Sequence, residues 1–441
     1  MIKKSNRCKI WYILIFALYM FPLRLKGTLL YISYAYVYAF PLVYILININ
    51  YVMCQFKHTN DIAIQFFKLS MLFLLNISLL TPLVHQSFDF SYIFKNWKDL
   101  VLWMIKYLFL ICIFEKHVDN TGNLKLFTDC FTKAVSLYVI FSLMSTYTPF
   151  RNVLMKILYL SESDLVNYER GEYWTRFGWS GWSGFNETAL CTVAVILNGV
   201  LFLSERSKKK QVKRMFAVLF PIIGNALYGR IGLLASIVFL TMITLIIISG
   251  GEVRKLLKIL ILGIIGLISI LLAKENISVL KNWTNWVFSA FDNYKKYGRF
   301  YDNMGTIEHL VNDMYWIPGT ETLLFGDGIY TGTDGLYYMH TDSGIMRSIL
   351  YFGIINYLIY MSTTISLIYS FVVALKKKYH VNNKYLLVFS IFIIIIIFEY
   401  KGEALWMFIP IILSVTLLLN ANKKIKQSII YYPSYARDGV E

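Results

Sequence analysis

The sequence predicts an all-α polytopic membrane protein of about 12 transmembrane helices, with a large outer loop between the ninth and tenth spans. Two observations predict it. The chain of 441 residues is 57% hydrophobic and only 16% charged, where a soluble domain carries about 25% charged residues. The apolar residues also fall in long runs between short charged connections, as helices matched to a hydrocarbon core about 30 Å thick require. A soluble core would instead show apolar stripes at helical spacing with polar residues between them.

The runs place spans at about 10–24, 28–50, 67–84, 99–115, 126–147, 185–203, 215–229, 231–249, 257–273, 344–374, 385–399 and 404–420. The first begins after Lys3, Lys4, Arg7 and Lys9 and resembles a signal peptide. No small-residue cleavage site follows, and Arg24 and Lys26 come next, so it reads as an uncleaved span. The seventh and eighth meet at Arg230, and the last two meet at Lys401.

Basic residues set the orientation. The N-terminus, Arg206–Arg214, Arg254–Lys258, Lys376–Lys378 and Lys423–Lys426 form one set of connections that is densely basic and almost free of acids, hence cytoplasmic. The alternate set includes two long segments, 148–184 and 274–343, which mix acids, aromatics and glycines and should face outward. Both termini are then cytoplasmic. The net charge of +17 is distributed at the ends of apolar runs, where it meets lipid headgroups, and this excludes a nucleic-acid reading. Cys8, Cys54, Cys112, Cys130 and Cys191 are scattered without a CxxC pair, so neither a disulfide framework nor a metal site is expected. With no long linker and no clear repeat, residues 1–441 form one membrane domain.

Candidate chemistry concentrates in the outward segments. Segment 274–343 is too long for a simple connector and is crowded with Trp283, Trp286, Tyr294, Tyr297, Tyr315, Trp316, Tyr337 and Tyr338, suited both to the headgroup level and to stacking on sugar rings. Its end, Tyr338-Met-His340-Thr-Asp342-Ser343-Gly344-Ile-Met-Arg347, puts a histidine beside an aspartate just before a membrane helix. Imidazole titrates near neutrality and could take a proton from an attacking sugar hydroxyl; equally, His340 could anchor the helix at the interface. Asp342 and Ser343 also read as helix N-caps, Ser343 more so.

Outward arginines run against the positive-inside tendency and need a reason. Arg176 precedes Gly178 and Asn186-Glu187, Arg230 lies in Gly229-Arg230-Ile-Gly232, and Arg299 follows Gly298, with Leu324-Phe325-Gly326-Asp327-Gly328 beyond. A diphosphate would suit planar guanidinium groups, and so would salt bridges to Glu187, Asp302 or lipid phosphate. In Phe398-Glu399-Tyr400-Lys401-Gly402-Glu403, three ionisable groups at a helical break must face water or protein, lining the same outer cavity or pairing with one another. Asp129 and Lys133, four apart on one helix, read as an ion pair, and Lys106 stands inside a span with no partner visible in the sequence.

In this order, over about residues 170–405, these pieces resemble the O-antigen polymerase (Wzy-type) and O-antigen ligase superfamily. The resemblance implies a GT-C-like fold and an inverting membrane glycosyltransferase with no cofactor. It implies undecaprenyl-diphosphate-linked oligosaccharides as donor and acceptor, for lipopolysaccharide or capsule synthesis. It implies a bacterial inner-membrane location with the active site facing the periplasm, and a chain-length regulator and a flippase as accessory partners. Arg230 and Arg299 would bind the donor diphosphate and His340 would activate the acceptor. Arg176, Asn186, Glu187, Asp342, Glu399 and Lys401 would complete the substrate site. Thr341-Asp342 stands where ligases commonly carry an asparagine, which favours polymerase over ligase. A flippase would distribute ionisable residues through many spans, whereas here they gather at one face, and a purely structural subunit would not need the arginine–histidine set.

Overall fold

The computed structural model describes residues 10–57, 62–117, 124–161, 164–165, 176–251, 255–257, 292–298, 308, 312–379, 381 and 383–420. Arg299 and residues 258–273 of the ninth expected span lie outside them.

In chain order the helices are α1 (Ile10–Met20), α2 (Leu29–Ile47), α3 (Ile49–Lys57), α4 (Ile62–Val84), α5 (Lys98–His117), α6 (Leu124–Met144) and α7 (Thr148–Ile157). They continue as α8 (Phe185–Ser204), α9 (Lys208–Ala217), α10 (Leu219–Tyr228), α11 (Arg230–Ser249) and α12 (Thr320–Phe325), then α13 (Gly344–Tyr379), α14 (Lys384–Lys401) and α15 (Leu405–Asn420). A two-residue hairpin, β1 (Phe177–Gly178) with β2 (Gly181–Trp182), precedes α8. Among the described residues, six helices are long and apolar enough to cross a membrane, namely α2, α4, α6, α8, α11 and α13, and α1 and α15 are shorter apolar helices. The architecture is that of an α-helical membrane protein.

Burial sorts these helices into a centre and a periphery. In α8, 78% of the spanning window is buried, against 22% in α2 and 33% in α4. The outer faces of α2 and α4 present Ile32, Leu42, Val43, Leu69 and Leu72, as surfaces turned to lipid do. All residues of α15 from Leu405 to Leu419 are buried. A helix apolar all round belongs in the interior.

Two helices are interrupted where the backbone is forced. Residues Ala35–Ala39 of α2 form a π turn, and a second π turn, Ile93–Trp97, leads into α5. In α13, Gly353 adopts φ +82°, which splits the helix into a short first half and a long second one. That break frees the carbonyls of Leu350 and Tyr351, and the N–H groups of Asp327 (2.7 Å) and Gly328 (3.1 Å) take them up. The approach needs glycine on both sides. A β-carbon on Gly353 would collide with the Leu324 carbonyl, and one on Gly326 with the Tyr351 carbonyl.

The two ends of the bundle differ chemically. At the basic end, Lys125 meets Glu205 at 2.8 Å, and Tyr51 donates to Glu115 at 2.9 Å. Asp129 pairs with Lys213 (2.6 Å) and Arg214 (2.5 Å), not with Lys133 as the four-residue spacing suggested. The partners sit on the helix after α8, whose basic residues reach back across the bundle end. Cys112 and Cys191 are free and Cys130 is disulfide-bonded, a pairing the scattered spacing did not predict.

Candidate functional site

At the opposite end, the helix break expected at Lys401 meets the start of α13, and the one expected at Arg230 rests on the head of α8. After Lys401, Gly402 is fully extended and α15 begins three residues on. The Glu399 carboxylate turns across this gap and accepts from the N–H groups of Ala404 (2.6 Å) and Leu405 (2.8 Å). It therefore serves as the cap of α15, satisfying donors that the helix itself cannot. A β-carbon on Gly344 would stand 2.5 Å from Glu399 Oε2 and 2.6 Å from the Gly402 carbonyl, so α13 starts hard against this break. The Phe185 ring at the head of α8 lies 3.5 Å from where a β-carbon on Gly402 would be.

Glu403 holds the centre of the cluster. Its Oε2 is 2.9 Å from Arg347 Nη1, with 7% and 6% of the two side chains exposed. Tyr330 donates to the same oxygen (2.6 Å), Arg347 donates to the Tyr330 hydroxyl, and Asn96 Nδ2 donates to Oε1 (2.8 Å). The Arg347 guanidinium also lies 3.5 Å over the Tyr337 ring, and Lys95 donates to the Tyr337 hydroxyl at 2.5 Å. One network thus ties together the π turn before α5, the segment carrying Tyr330 and Tyr337, α13 and the break. Burial pushes the Glu403 carboxyl above its ordinary range, with Arg347 and Lys95 opposing. Burial and then the Arg347 charge lower the Lys95 ammonium.

The loop carrying His340 is folded onto this network by Asp89. Its Oδ2 accepts from Tyr330 N (2.6 Å) and Thr331 N (2.8 Å), and a bridge between Thr331 and Tyr337 closes the turn. Met339 and His340 both take positive φ, +55° and +56°, a conformation non-glycine residues rarely adopt. The imidazole is 67% exposed, and its Nε2 lies 3.4 Å from Asp334 Oδ2. The carboxylate beside His340 is therefore Asp334, whereas the sequence pointed to Asp342. Asp342 is exposed and within electrostatic reach of Lys401. Ser343 caps α13 by accepting from Met346 N (3.2 Å), the role its position predicted, and donates to Tyr315 (2.6 Å).

Arg230 opens α11 directly after Gly229 and is half-buried. Its break rests on the first turn of α8. A β-carbon on Gly229 would meet Thr188 Oγ1 at 3.1 Å, and one on Gly232 would collide with the Thr188 methyl. Thr188 is three residues beyond Phe185, so the head of α8 joins the Arg230 break to the Gly402 break. Glu187, expected to bind substrate, accepts from Gly184 N (2.8 Å) as the cap of α8, and Asn186 beside it is exposed. Arg176 begins the hairpin, its carbonyl accepting from Ser183 N at 2.6 Å. Two apolar cavities lie away from these breaks, one beside Glu115 at the basic end and one between α8, α13, α14 and α15.

Of the expected residues, Glu399, Lys401 and Asp342 come together, Arg230 and Glu187 lie on the adjoining helix head, and His340 stands on the loop above Tyr337. Lys95, Asn96, Tyr330 and Asp334 went unrecognised in the sequence, because a lysine between two spans looks like any headgroup contact. Comparison of the chain with known protein families and with curated proteins finds no match.

Proposed function

We propose that the protein is a polysaccharide polymerase of the O-antigen (Wzy) type. It would transfer a growing glycan from a polyprenyl-diphosphate carrier to the non-reducing end of the next lipid-linked repeat unit. The observation that carries this reading is the gathering, at the non-basic end of a membrane helix bundle, of cations, tyrosines and an exposed His340–Asp334 pair. In this reading the bundle has 12 spans in a GT-C-like arrangement, both termini are cytoplasmic, and the non-basic end faces the periplasm.

The chemistry needs a leaving group held by cations, an acceptor hydroxyl and a base within reach. The acceptor oxygen attacks the anomeric carbon while the bond from that carbon to the diphosphate oxygen breaks, inverting the configuration. The acceptor proton passes to His340. With Nε2 directed at Asp334, Nδ1 is the nitrogen left to receive it. Arg230 and Arg299 offset the charge growing on the departing diphosphate, a task suited to planar two-point donors. Arg347 is committed to Glu403 and serves to hold the loop. The stacked pair Tyr315 and Tyr400, 4.5 Å apart, offers an apolar platform of the kind sugar rings pack against.

The test is a gel of surface glycan from a strain lacking the gene, complemented with wild type, His340→Ala or Arg230→Ala. Single-repeat glycan without the gene, restored to a ladder by wild type alone, supports the polymerase. Loss of all attached glycan favours a ligase. Normal ladders from both variants overturn the assignment of these residues.

A further inference from the structure

Lys106 poses a problem that the site above does not solve. It lies on α5, about 12 Å below the start of that helix at 1.5 Å per residue, and only 4% of it is exposed. A lysine at this depth ordinarily snorkels to the interface or pairs with an acid. Among the described residues, Lys106 has no carboxylate within ion-pair distance. Its ammonium rests between two aromatic faces, 4.4 Å from the Trp103 ring and 4.9 Å from the Tyr38 ring. Ring faces offset part of the charge but leave three strong N–H donors without a matching acceptor.

The surroundings add charge of the same sign. Arg24, in the turn between α1 and α2, is close enough to act electrostatically on both Lys106 and Tyr38. Asp99, two turns above Lys106 on α5, is within the same reach and is the one acid among the described residues that acts on it. Tyr38 is delivered by the π turn of α2, a local widening that natural helices keep mostly where it serves a function. The seam between α2 and α5 also borders the least buried of the six candidate spans among the described residues, since only 22% of the α2 window is buried.

We propose that Lys106 and Arg24 form a binding site for the phosphate of an anionic lipid, seated at the seam between α2 and α5 with Tyr38 and Trp103 as its walls. Phosphate oxygens supply the acceptors that the ammonium lacks, and the acyl chains lie along the apolar face of α2. Side chains on a helix lean toward its N-terminus, so the ammonium of Lys106 is directed up α5 toward Arg24 and the headgroup level. The site does not depend on the reaction proposed above. A protein with any other activity would need the same answer to a buried cation, so the two readings fail separately.

The experiment uses the full chain in mild detergent, measuring thermal stability and native mass with phosphatidylglycerol, diacylglycerol or inorganic phosphate added. Wild type should retain one phosphatidylglycerol per chain and melt higher in its presence, and diacylglycerol should do neither. Lys106→Met should weaken the apparent affinity by about tenfold or more, with Lys106→Arg restoring it. Arg24→Gln, in a partly exposed turn, should weaken it as well and serves if Lys106→Met does not fold. An unchanged lipid response in a folded Lys106→Met, or in Arg24→Gln where Lys106→Met does not fold, overturns the site. So does an equal response to diacylglycerol. A matching response to inorganic phosphate at equal concentration overturns the lipid as its source.

Discussion

Arg347, on the short first half of α13, and Glu403, in the break before α15, hold each other at 2.9 Å with both side chains almost wholly enclosed. Such a pair contributes little net stability, yet breaking it leaves a charge stranded. Arg347→Met alone should cost about 3–5 kcal/mol, and the double variant Arg347→Met with Glu403→Met should recover part of that, the rest being the acceptor lost to Asn96 and Tyr330. Thermal melting of the purified variants in detergent checks both.

Gly353 should tolerate no side chain. Its φ of +82° is strained for any L-residue, and a β-carbon would strike the Leu324 carbonyl. Gly353→Ala is expected to lose about 2 kcal/mol or more. Gly251→Ala, with φ +69° and open space around it, should lose about 1 kcal/mol. Comparing melting temperatures separates collision from conformation.

Glu399 tests structure against substrate binding. If the carboxylate acts as the cap of α15, Glu399→Ala should lower stability by about 2 kcal/mol. Glu399→Gln, which keeps one accepting oxygen, should lose less and still support glycan synthesis. A variant that melts normally but makes no polymer would return Glu399 to the substrate site.

His340 makes the opposite prediction. Because the side chain is exposed, His340→Ala should change stability by no more than about 0.5 kcal/mol while abolishing polymer. Asp334→Asn should slow synthesis by about tenfold through loss of the oriented imidazole, and Asp342→Asn should matter less. Melting curves and glycan ladders from the same preparations provide the readout.

The helices were legible because membrane spans are written in composition. The apolar runs located α4, α6, α8, α11 and α13 closely, and the breaks at Arg230 and Lys401 fell where glycines 229 and 402 interrupt the backbone. Partnerships were not legible. Asn96 and Glu403 are 307 residues apart, and nothing local to either signals the other. Asp129 illustrates the same limit, since Lys133 sits one turn away yet the acid turns to Lys213 and Arg214 on another helix. Capping was read where it is local, at Ser343, and missed where the acceptor crosses a gap, at Glu399. The Asp334–His340 pairing depends on a turn with two positive φ values, which residue type alone does not announce.

The break at Gly353 has an evolutionary corollary. Two carbonyls of a bilayer helix are satisfied by the backbone of residues 327 and 328, so that stretch cannot lengthen or shorten without unravelling the helix below it. Freedom to diversify is left to the positions of residues 331–340 other than Asp334, Tyr337 and His340, in a tip that hangs from Asp89 by its own backbone. On the function proposed above, relatives would then be expected to vary those positions while keeping Gly326, Gly328, Gly353, Asp334 and His340 fixed.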